Sequence, residues 1–169
     1  MVHSIELVFD ADTEATIRRI WSDLAAAGVP SQAPAARPHV TLSVASRIDP
    51  RVDTELAALT PQFPLRCTIG APVLFGRSHA VLARQLVPTV ELLTLHAQVH
   101  QLCLAHLEPE PMPHTAPGQW TAHVTLARHV GPARLGRAVR IAGRPAEIQG
   151  RFTGLRRWQG DNRSEHPIG

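Results

Sequence analysis

The sequence predicts an α+β fold of two pseudo-symmetric lobes, each a small antiparallel sheet backed by helices, around a central cleft. Two observations predict this fold. The tetrapeptide His-Val-Thr-Leu occurs at 39–42 and again at 123–126, once in each half of the 169-residue chain. The element order strand, helix, motif strand also occurs at matching places in the two halves. We therefore expect residues 1–169 to form one domain of two intertwined lobes, each with one His-x-Thr motif strand.

In the first half, the alternating segment Ser4–Phe9 predicts a strand. A helix extending to Ala27 follows, because its apolar residues recur at helical spacing: Ile17, Ile20, Trp21 and Leu24. Side-chain oxygens suitable for its N-cap come just before: Asp10, Asp12 and Thr13. A proline-rich loop then leads to the first motif strand, and a short helix is expected over 49–59.

The middle of the chain predicts a strand pair and a long helix. The strands are Leu65–Leu74 and Ala80–Val87, joined by a turn at Gly76-Arg77-Ser78. The helix that follows has Pro88 in its first turn and carries apolar residues as far as Leu104.

The remaining elements are shorter. The proline-rich segment Glu108–Gly118 is expected to be a surface loop near the second motif strand, which covers Trp120–Arg128. A short helix over Pro132–Val139 and one long strand or a strand pair over Ala146–Trp158 complete the fold. The polar tail from Asp161 is expected to fray.

The composition is that of a globular protein, with 44% hydrophobic residues and no apolar run near the ~18 residues of a membrane span. The start MVHSIELVFD lacks the basic and apolar regions of a signal peptide, so we expect a cytoplasmic protein. Cys67 and Cys103 lie far apart in apolar surroundings and are expected to be free, buried thiols. No heptad pattern or long apolar edge is present, so we expect a monomer.

All 17 basic residues are arginines, and the formal net charge is +3. Codon bias in a GC-rich genome, which the abundant alanine and proline also suggest, explains most of these arginines. Because the arginine fork matches phosphate oxygens, the excess agrees with an anionic substrate without establishing one.

The two motifs point to chemistry at a phosphate. In a β-strand, residues i and i+2 point to the same face, so each copy presents an imidazole beside a hydroxyl. Two copies facing each other across a groove supply two proton carriers and two hydroxyl donors. Imidazole titrates near neutral pH, so one ring can act as a base and the other as an acid.

The doubled H-V-T-L, the order of elements around it, and Arg128 directly after H-V-T-L-A resemble the 2H phosphoesterase superfamily. Within it, the chain is most similar to the bacterial 2′-5′ RNA ligase and cyclic phosphodiesterase group, over most of its length. The resemblance implies no metal or other cofactor, and it implies that His39 and His123 are the catalytic pair while Thr41 and Thr125 bind the phosphate.

The resemblance also implies a reaction and its partners: hydrolysis of 2′,3′-cyclic phosphate ends of RNA or small nucleotides to 2′-phosphates, without a membrane. Some members also join or cleave 2′-5′ linkages. Because the acid must then lie beside the 3′-oxygen, our hypothesis is that His39 protonates this oxygen while His123 activates water. The reverse assignment stays open.

Five further residues are candidates for substrate contacts. Strict alternation places Arg128 on the face opposite His123, although a twist or bulge at the strand end could bring it to the phosphate. Arg37 lies at the mouth of the first motif, and Phe75, His114 and Trp120 could hold a nucleobase. Core packing is the simpler interpretation of Phe75 and Trp120.

Three alternatives stay open. His96 and His100 have the i, i+4 spacing of zinc ligands, although no acidic residue completes a site and two half-exposed histidines on a helix surface explain them. A non-catalytic module that binds RNA ends would keep the groove and the arginines. Within the enzyme class, the substrate could instead be a 2′-5′ oligoadenylate or a cyclic phosphate derived from ADP-ribose.

Overall fold

The computed structural model describes residues 1–32, 35–76 and 78–169. The strands are β1 (His3–Phe9), β2 (His39–Ala45), β3 (Arg47–Ile48), β4 (Leu65–Phe75), β5 (Ala80–Leu86), β6 (Leu107–Glu108), β7 (His123–Val130), β8 (Ile148–Gln159) and β9 (Ser164–Ile168). The α-helices are α1 (Ala11–Ala26), α2 (Val52–Leu56), α3 (Val90–Cys103) and α4 (Pro132–Ala142). Short 3-10 helices, Ala57–Gln62 and Leu104–His106, extend α2 and α3. The turn expected at Gly76–Ser78 includes Arg77, which lies outside the described residues.

Seven strands form one antiparallel sheet in the order β1-β2-β7-β5-β4-β8-β9, and β1 also pairs with β8. The pairings therefore form a closed circuit through β1, β2, β7, β5, β4 and β8. β8 serves both halves, because Ile148–Phe152 pairs with β4 whereas Phe152–Gln159 pairs with β1. The predicted α+β fold of two antiparallel halves is confirmed, and β8 joins the two expected sheets into one.

Each half supplies the long helix that packs against the other half's motif strand. α1 lies between β1 and β2 in the chain but packs against β7, β8 and α4. α3 lies between β5 and β7 but packs against β2. The residues of α1 that are buried in this arrangement are Thr13, Ile17, Ile20, Trp21 and Leu24. The two halves of the sequence are therefore interlocked through their helices.

The helix starts follow from capping side chains. The Asp10 carboxylate accepts a hydrogen bond from Thr13 N at 2.9 Å, as expected for the N-cap of α1. The Thr89 hydroxyl accepts one from Leu92 N at 3.2 Å and caps α3. The placement of Pro88 in the first turn of α3 is therefore wrong, because Pro88 precedes the cap. No helix in the described ranges combines the length and apolar character needed to cross a membrane.

The expected fraying of the tail from Asp161 is wrong, because β9 pairs with β8 over its whole length. Ile168 is only 6% exposed and lies opposite Leu155. Ser164, Glu165 and His166 are polar because this edge strand faces solvent and the charged side chains of β8. The prediction for the cysteines is confirmed: Cys67 and Cys103 are free and buried, and burial raises the pKa of each thiol to about 12.

Arg84 on β5 is 0% exposed, which is unusual for a charged side chain. Its guanidinium donates hydrogen bonds to five backbone carbonyls: Ile69 (3.4 Å), Gly70, Ala142 (2.9 Å), Pro145 (2.9 Å) and Ala146 (2.8 Å). Because Ala142 ends α4 and Ile69 belongs to β4, this one side chain ties β4, β5 and the segment after α4 together.

Candidate active site

The two motif strands meet at the middle of the sheet. Val40 of β2 is paired with Val124 of β7 in antiparallel register. His39 therefore lies opposite Thr125, and Thr41 lies opposite His123. Both valines are buried, whereas all four of these polar side chains are partly exposed on the other face. The structure thus brings the four predicted residues together on one face of the sheet, the groove face, where β2 meets β7.

Both motif strands carry a β-bulge at the same place. Neighbouring residues Ile5 and Glu6 of β1 pair with Ser43 and Thr41, so Leu42 is an extra residue in β2. Neighbouring residues Leu82 and Ala83 of β5 pair with Ala127 and Thr125, so Leu126 is an extra residue in β7. Each bulge shifts the alternation of the residues that follow it by one position.

The bulge in β7 decides the position of Arg128. Thr125 is on the groove face and Ala127 is buried on the other face, so Arg128 returns to the groove face and is exposed. Strict alternation, which places Arg128 on the opposite face, is therefore wrong, and the bulge is the reason. The residue at the same place in β2 is Val44. Of these two corresponding positions, only the one in β7 therefore carries a cationic side chain.

The two catalytic candidates share one tautomer. His39 Nδ1 lies 2.8 Å from the carbonyl oxygen of Arg37, and His123 Nδ1 lies 2.7 Å from that of Thr121. A carbonyl can only accept a hydrogen bond, so each Nδ1 carries a hydrogen and donates it. Nε2 of each ring is therefore the nitrogen left for chemistry.

A buried carboxylate lies beside His39. Glu6 of β1 is paired with Thr41 on the groove face and is 2% exposed. Its Oε1 lies 3.5 Å from His39 Nε2 and accepts a hydrogen bond from Ser4 Oγ at 2.5 Å. Its Oε2 accepts a hydrogen bond from Arg156 Nε at 2.7 Å. His39 thus lies at the end of a buried ion pair.

The sequence analysis missed Glu6 and Arg156. The available signal was a charged residue in the middle of the apolar segment S-I-E-L-V-F, since a buried carboxylate requires a partner. Arg156 also contacts Glu165, whose carboxylate lies 3.8 Å from Arg37 Nη1. The chain of ion pairs from Glu6 through Arg156 and Glu165 therefore reaches Arg37, two residues before His39.

The surroundings of His123 are different. Phe75 packs against it, with ring centroids 4.6 Å apart, and the position that corresponds to Glu6 is Ala83. Burial lowers the pKa of His123, and the charges of Arg128 and His39 lower it further, whereas the hydrogen bond to Thr121 opposes this. His123 is therefore neutral near pH 7.

Two tryptophans support the motif strands from below. Trp120 Nε1 donates a hydrogen bond to the carbonyl of Thr41 at 3.0 Å, and Trp21 Nε1 donates one to that of Thr125 at 3.2 Å. Trp120 lies before β7 and not within a strand, and its ring stacks on His96 with centroids 3.9 Å apart. His96 is 1% exposed, so its placement on a half-exposed helix surface is wrong.

The remaining candidates are Arg37 and His114. Arg37 forms ion pairs with Glu14 at 3.2 Å and Glu165 at 3.8 Å and lines a cavity of about 450 Å³. His114 is exposed, with φ of 66°, next to Thr115, whose carbonyl lies 2.9 Å from His96 Nε2. Within the described ranges, no three side chains of histidine, cysteine, aspartate or glutamate are grouped to hold a metal ion.

The two antiparallel halves each present a histidine and a threonine on one shared face of the sheet. This arrangement defines a class of proteins with two His-x-Thr motifs. The family model of the 2′-5′ RNA ligase superfamily matches residues 9–163. The chain belongs to the 2′-5′ RNA ligase superfamily, a group of 2H phosphoesterases. No curated protein matches the sequence significantly.

Solved structures share the fold over almost the whole chain. Kluyveromyces marxianus Usb1 has a TM-score of 0.59 at 13% identity, covering 99% of this chain and 97% of that one. The MHV ns2 PDE domain has a TM-score of 0.58 at 14% identity, with 99% of both chains covered. Escherichia coli LigT complexed with 3′-AMP has a TM-score of 0.58 at 12% identity, covering 99% of this chain and 94% of that one. Further structures hold Usb1 with uridine monophosphate and LigT with NADP+. At these identities, the similarity establishes the fold alone.

Proposed function

We propose that this chain is a metal-independent phosphodiesterase that hydrolyses 2′,3′-cyclic phosphate ends of RNA or nucleotides to 2′-phosphates. The observation that carries the proposal is the pair of histidines on one face, each held through Nδ1 by a backbone carbonyl and each opposite a threonine. The nucleotides held by LigT and Usb1 agree with a nucleotide phosphate as ligand. The same site suits reversible 2′-5′ RNA ligation, in which a 5′-hydroxyl takes the place of water.

The surroundings of the histidines support a division of labour. The lowered pKa of His123 leaves its Nε2 free to accept a proton, so it is the base that activates water. His39 is then the acid, and the Glu6 carboxylate, whose Oε1 lies 3.5 Å from its Nε2, is proposed to orient the ring. Water attacks phosphorus as His123 takes its proton, and the P–O3′ bond breaks as His39 gives a proton to O3′.

The hydroxyls of Thr41 and Thr125 are proposed to hydrogen-bond the non-bridging phosphate oxygens. Arg128 on the groove face is proposed to add a bidentate contact to the same anion. Phe75 and Trp120 are proposed to act mainly by positioning, since Phe75 packs on His123 and Trp120 holds the carbonyl of Thr41. Arg37 and His114 are proposed to contact parts of the substrate further from the phosphate.

We expect Thr41→Val and Thr125→Val each to lower kcat/KM by about 10- to 1000-fold, since each removes one preorganised donor to the phosphate. Valine keeps the shape and the strand propensity of threonine, so the fold is expected to be retained. Thr94→Val, at an exposed position of α3, is the matched control. If both motif variants keep kcat/KM within twofold of the Thr94 variant, the assigned role of the hydroxyls is wrong.

The test of the reaction is turnover of the four nucleoside 2′,3′-cyclic monophosphates in excess EDTA, with the product assigned by phosphorus NMR. We expect release of the 2′-phosphate. Activity that requires added zinc or manganese would contradict metal independence, and release of the 3′-phosphate would contradict the assigned bond cleavage. If mononucleotides are not turned over, the next substrates to test are 2′-5′ oligoadenylates, ADP-ribose cyclic phosphate and RNA ends. Binding of one of these compounds without turnover of any of them would indicate a non-catalytic module.

We further propose that the protein acts in the cytoplasm as a monomeric single domain. Sedimentation of the purified chain tests the oligomeric state.

A further inference from the structure

Two aromatic side chains of this protein lie outside its hydrophobic core. The chain contains four phenylalanines, three tryptophans and no tyrosine, and all of them fall in the described ranges. Most are buried in the core or pack against it: Phe9, Trp21, Phe63, Trp120 and Phe152. The others, Phe75 and Trp158, are half-buried and are not part of this packing. Core packing therefore does not explain their positions.

Trp158 lies on the groove face of the first half of the protein. It is two residues after Arg156 on β8, so the two side chains share one face of the strand. Arg156 pairs with Glu6, which is on the groove face. The Arg156 guanidinium lies over the indole of Trp158, with Cζ 5.5 Å from the ring centroid. The indole is therefore on the same face of the sheet as His39 and Thr41.

Phe75 has the corresponding position in the second half. Val73 on β4 pairs with Ala83, so Val73 has the position that Arg156 has in the first half. Phe75 follows Val73 by two residues, as Trp158 follows Arg156. The two aromatic side chains outside the core are therefore equivalent under the pseudo-symmetry of the site.

The two aromatic rings differ in what they contact. Phe75 packs on the ring of His123, with centroids 4.6 Å apart. In the first half, the Arg156 guanidinium comes between the aromatic ring and the histidine, and its Nη2 lies 3.5 Å from His39 Nδ1. Trp158 therefore lies beside the guanidinium. In the described part of the chain, its indole has no stacked ring and no hydrogen-bond partner.

Trp158 lies close enough to the phosphate site to meet the base of a bound nucleotide. Because the Arg156 guanidinium is beside both rings, the centre of the indole is within about 10 Å of His39 Nδ1. In the proposed reaction, His39 gives its proton to O3′, and water enters from the His123 side in line with the bond that breaks. The ribose that carries the cyclic phosphate, and the base on that ribose, are then on the His39 side, in the half that contains Trp158.

We propose that Trp158 is a nucleobase-binding residue, and that the base of the nucleotide carrying the 2′,3′-cyclic phosphate stacks on its indole. The proposal rests on the proposed function and specifies which half of the groove holds the nucleoside. Stacking uses the π face that every base has, so all four bases are accepted, and purines bind better than pyrimidines because their face is larger. Phe75 does not serve in the same way, because its ring is already packed on His123.

The experiment compares adenosine 2′,3′-cyclic monophosphate with 1-deoxyribofuranose 2,3-cyclic phosphate, which has the same sugar ring and cyclic phosphate but no base. The variants are Trp158→Leu, which removes the aromatic ring, and Trp158→Phe, which keeps one. We expect the ratio of kcat/KM for the nucleotide to that for the abasic substrate to fall by about 5- to 100-fold in the Leu variant and by less in the Phe variant. The loss should lie mainly in KM, since the base is stacked equally in the bound substrate and in the transition state.

The matched control is Phe63→Leu, which replaces a half-buried aromatic ring that packs against the core just before β4. We expect this variant to keep the wild-type ratio. If Trp158 only shields the ion pair between Arg156 and Glu6, the Leu variant will lose activity on both substrates together, and the ratio will not change. That result would overturn the proposal, and so would an equal fall of the ratio in the Phe63 variant.

Calorimetric titration with adenosine 2′-monophosphate separates the base subsite from the proposed reaction. If the wild-type chain hydrolyses neither cyclic phosphate, the proposed function fails. Weaker binding of the nucleotide by Trp158→Leu than by Phe63→Leu would still support the subsite in that case, whereas equal binding by both variants would overturn it. Because Trp158 lies outside the core, we expect its variants to unfold cooperatively on heating, as the wild type does.

Discussion

His39→Ala is expected to lose nearly all hydrolysis of nucleoside 2′,3′-cyclic phosphates but to retain activity on a substrate whose leaving group needs no proton. Loss of a general acid or base costs about 10²- to 10⁴-fold. His123→Ala should show the same loss on cyclic phosphates. The two variants should differ on 3′-deoxyadenosine 2′-(p-nitrophenyl phosphate), because p-nitrophenolate departs without protonation while water must still be activated.

This substrate has no 3′-hydroxyl, so internal attack on the phosphate cannot replace the attack of water. Release of p-nitrophenolate is followed by absorbance, and His79→Ala, at an exposed position, serves as the control. Recovery in the His123 variant instead of the His39 variant would reverse the acid and base assignment. A His39 variant that keeps more than a tenth of wild-type turnover on cyclic phosphates would sink the two-histidine mechanism.

Arg84→Met is expected to lower the free energy of unfolding by about 3–5 kcal/mol, a large part of the 5–15 kcal/mol typical of a domain. Methionine fills much of the volume of the arginine stem but leaves five carbonyls, all of them at least partly buried, without the guanidinium donors they now have. Arg84→Lys should be destabilised less, since an ammonium has three donors. The measurement is urea unfolding followed by circular dichroism.

The control for this series is Arg66→Gln on the adjacent strand β4, where an exposed side chain is replaced and a change within about 0.5 kcal/mol is expected. Equal midpoints for the Met and Gln variants would show that water satisfies the carbonyls and that Arg84 does not stabilise the fold. A change in the slope of the free energy of unfolding against urea concentration would instead indicate a changed unfolded or native ensemble.

The sequence predicted the parts of this structure that depend on local chemistry. The His-Val-Thr-Leu strands follow from the alternation of their side chains. The start of α1 follows from the Asp10 carboxylate, which accepts a hydrogen bond from the backbone N–H of Thr13. The placement of His39 and Thr41 on one face is a property of any strand, so it required no knowledge of the neighbouring strands.

The features that were missed depend on partners far away in the chain. Glu6 is stabilised by Arg156, which lies 150 residues later, and β9 is ordered by pairing with β8. The bulges at Leu42 and Leu126 are visible only against the register of β1 and β5. Nothing in the letters H-V-T-L marks the extra residue, so the groove-facing position of Arg128 could not be derived from the sequence.

The difference between Glu6 and Ala83 also needed the structure. Both residues lie opposite the threonine of a motif, so they occupy corresponding places in a nearly symmetric site. One place holds a buried carboxylate and the other a methyl group. The motifs are identical in sequence, and the residues that distinguish the two histidines lie on the neighbouring strands.

The exchange of long helices between the halves has a consequence for how the chain can be divided. α1 packs against β7 while α3 packs against β2, so a cut between β2 and α3 would separate each motif strand from the helix that covers it. The hydrogen bond from the Trp21 indole to the carbonyl of Thr125 would be broken, and so would the one from the Trp120 indole to the carbonyl of Thr41. The two fragments would each expose an apolar sheet face and could regain their structure only by reassembling with one another. A single-motif ancestor of this chain would have needed a second copy of itself, with the helices exchanged, to bury the same surfaces.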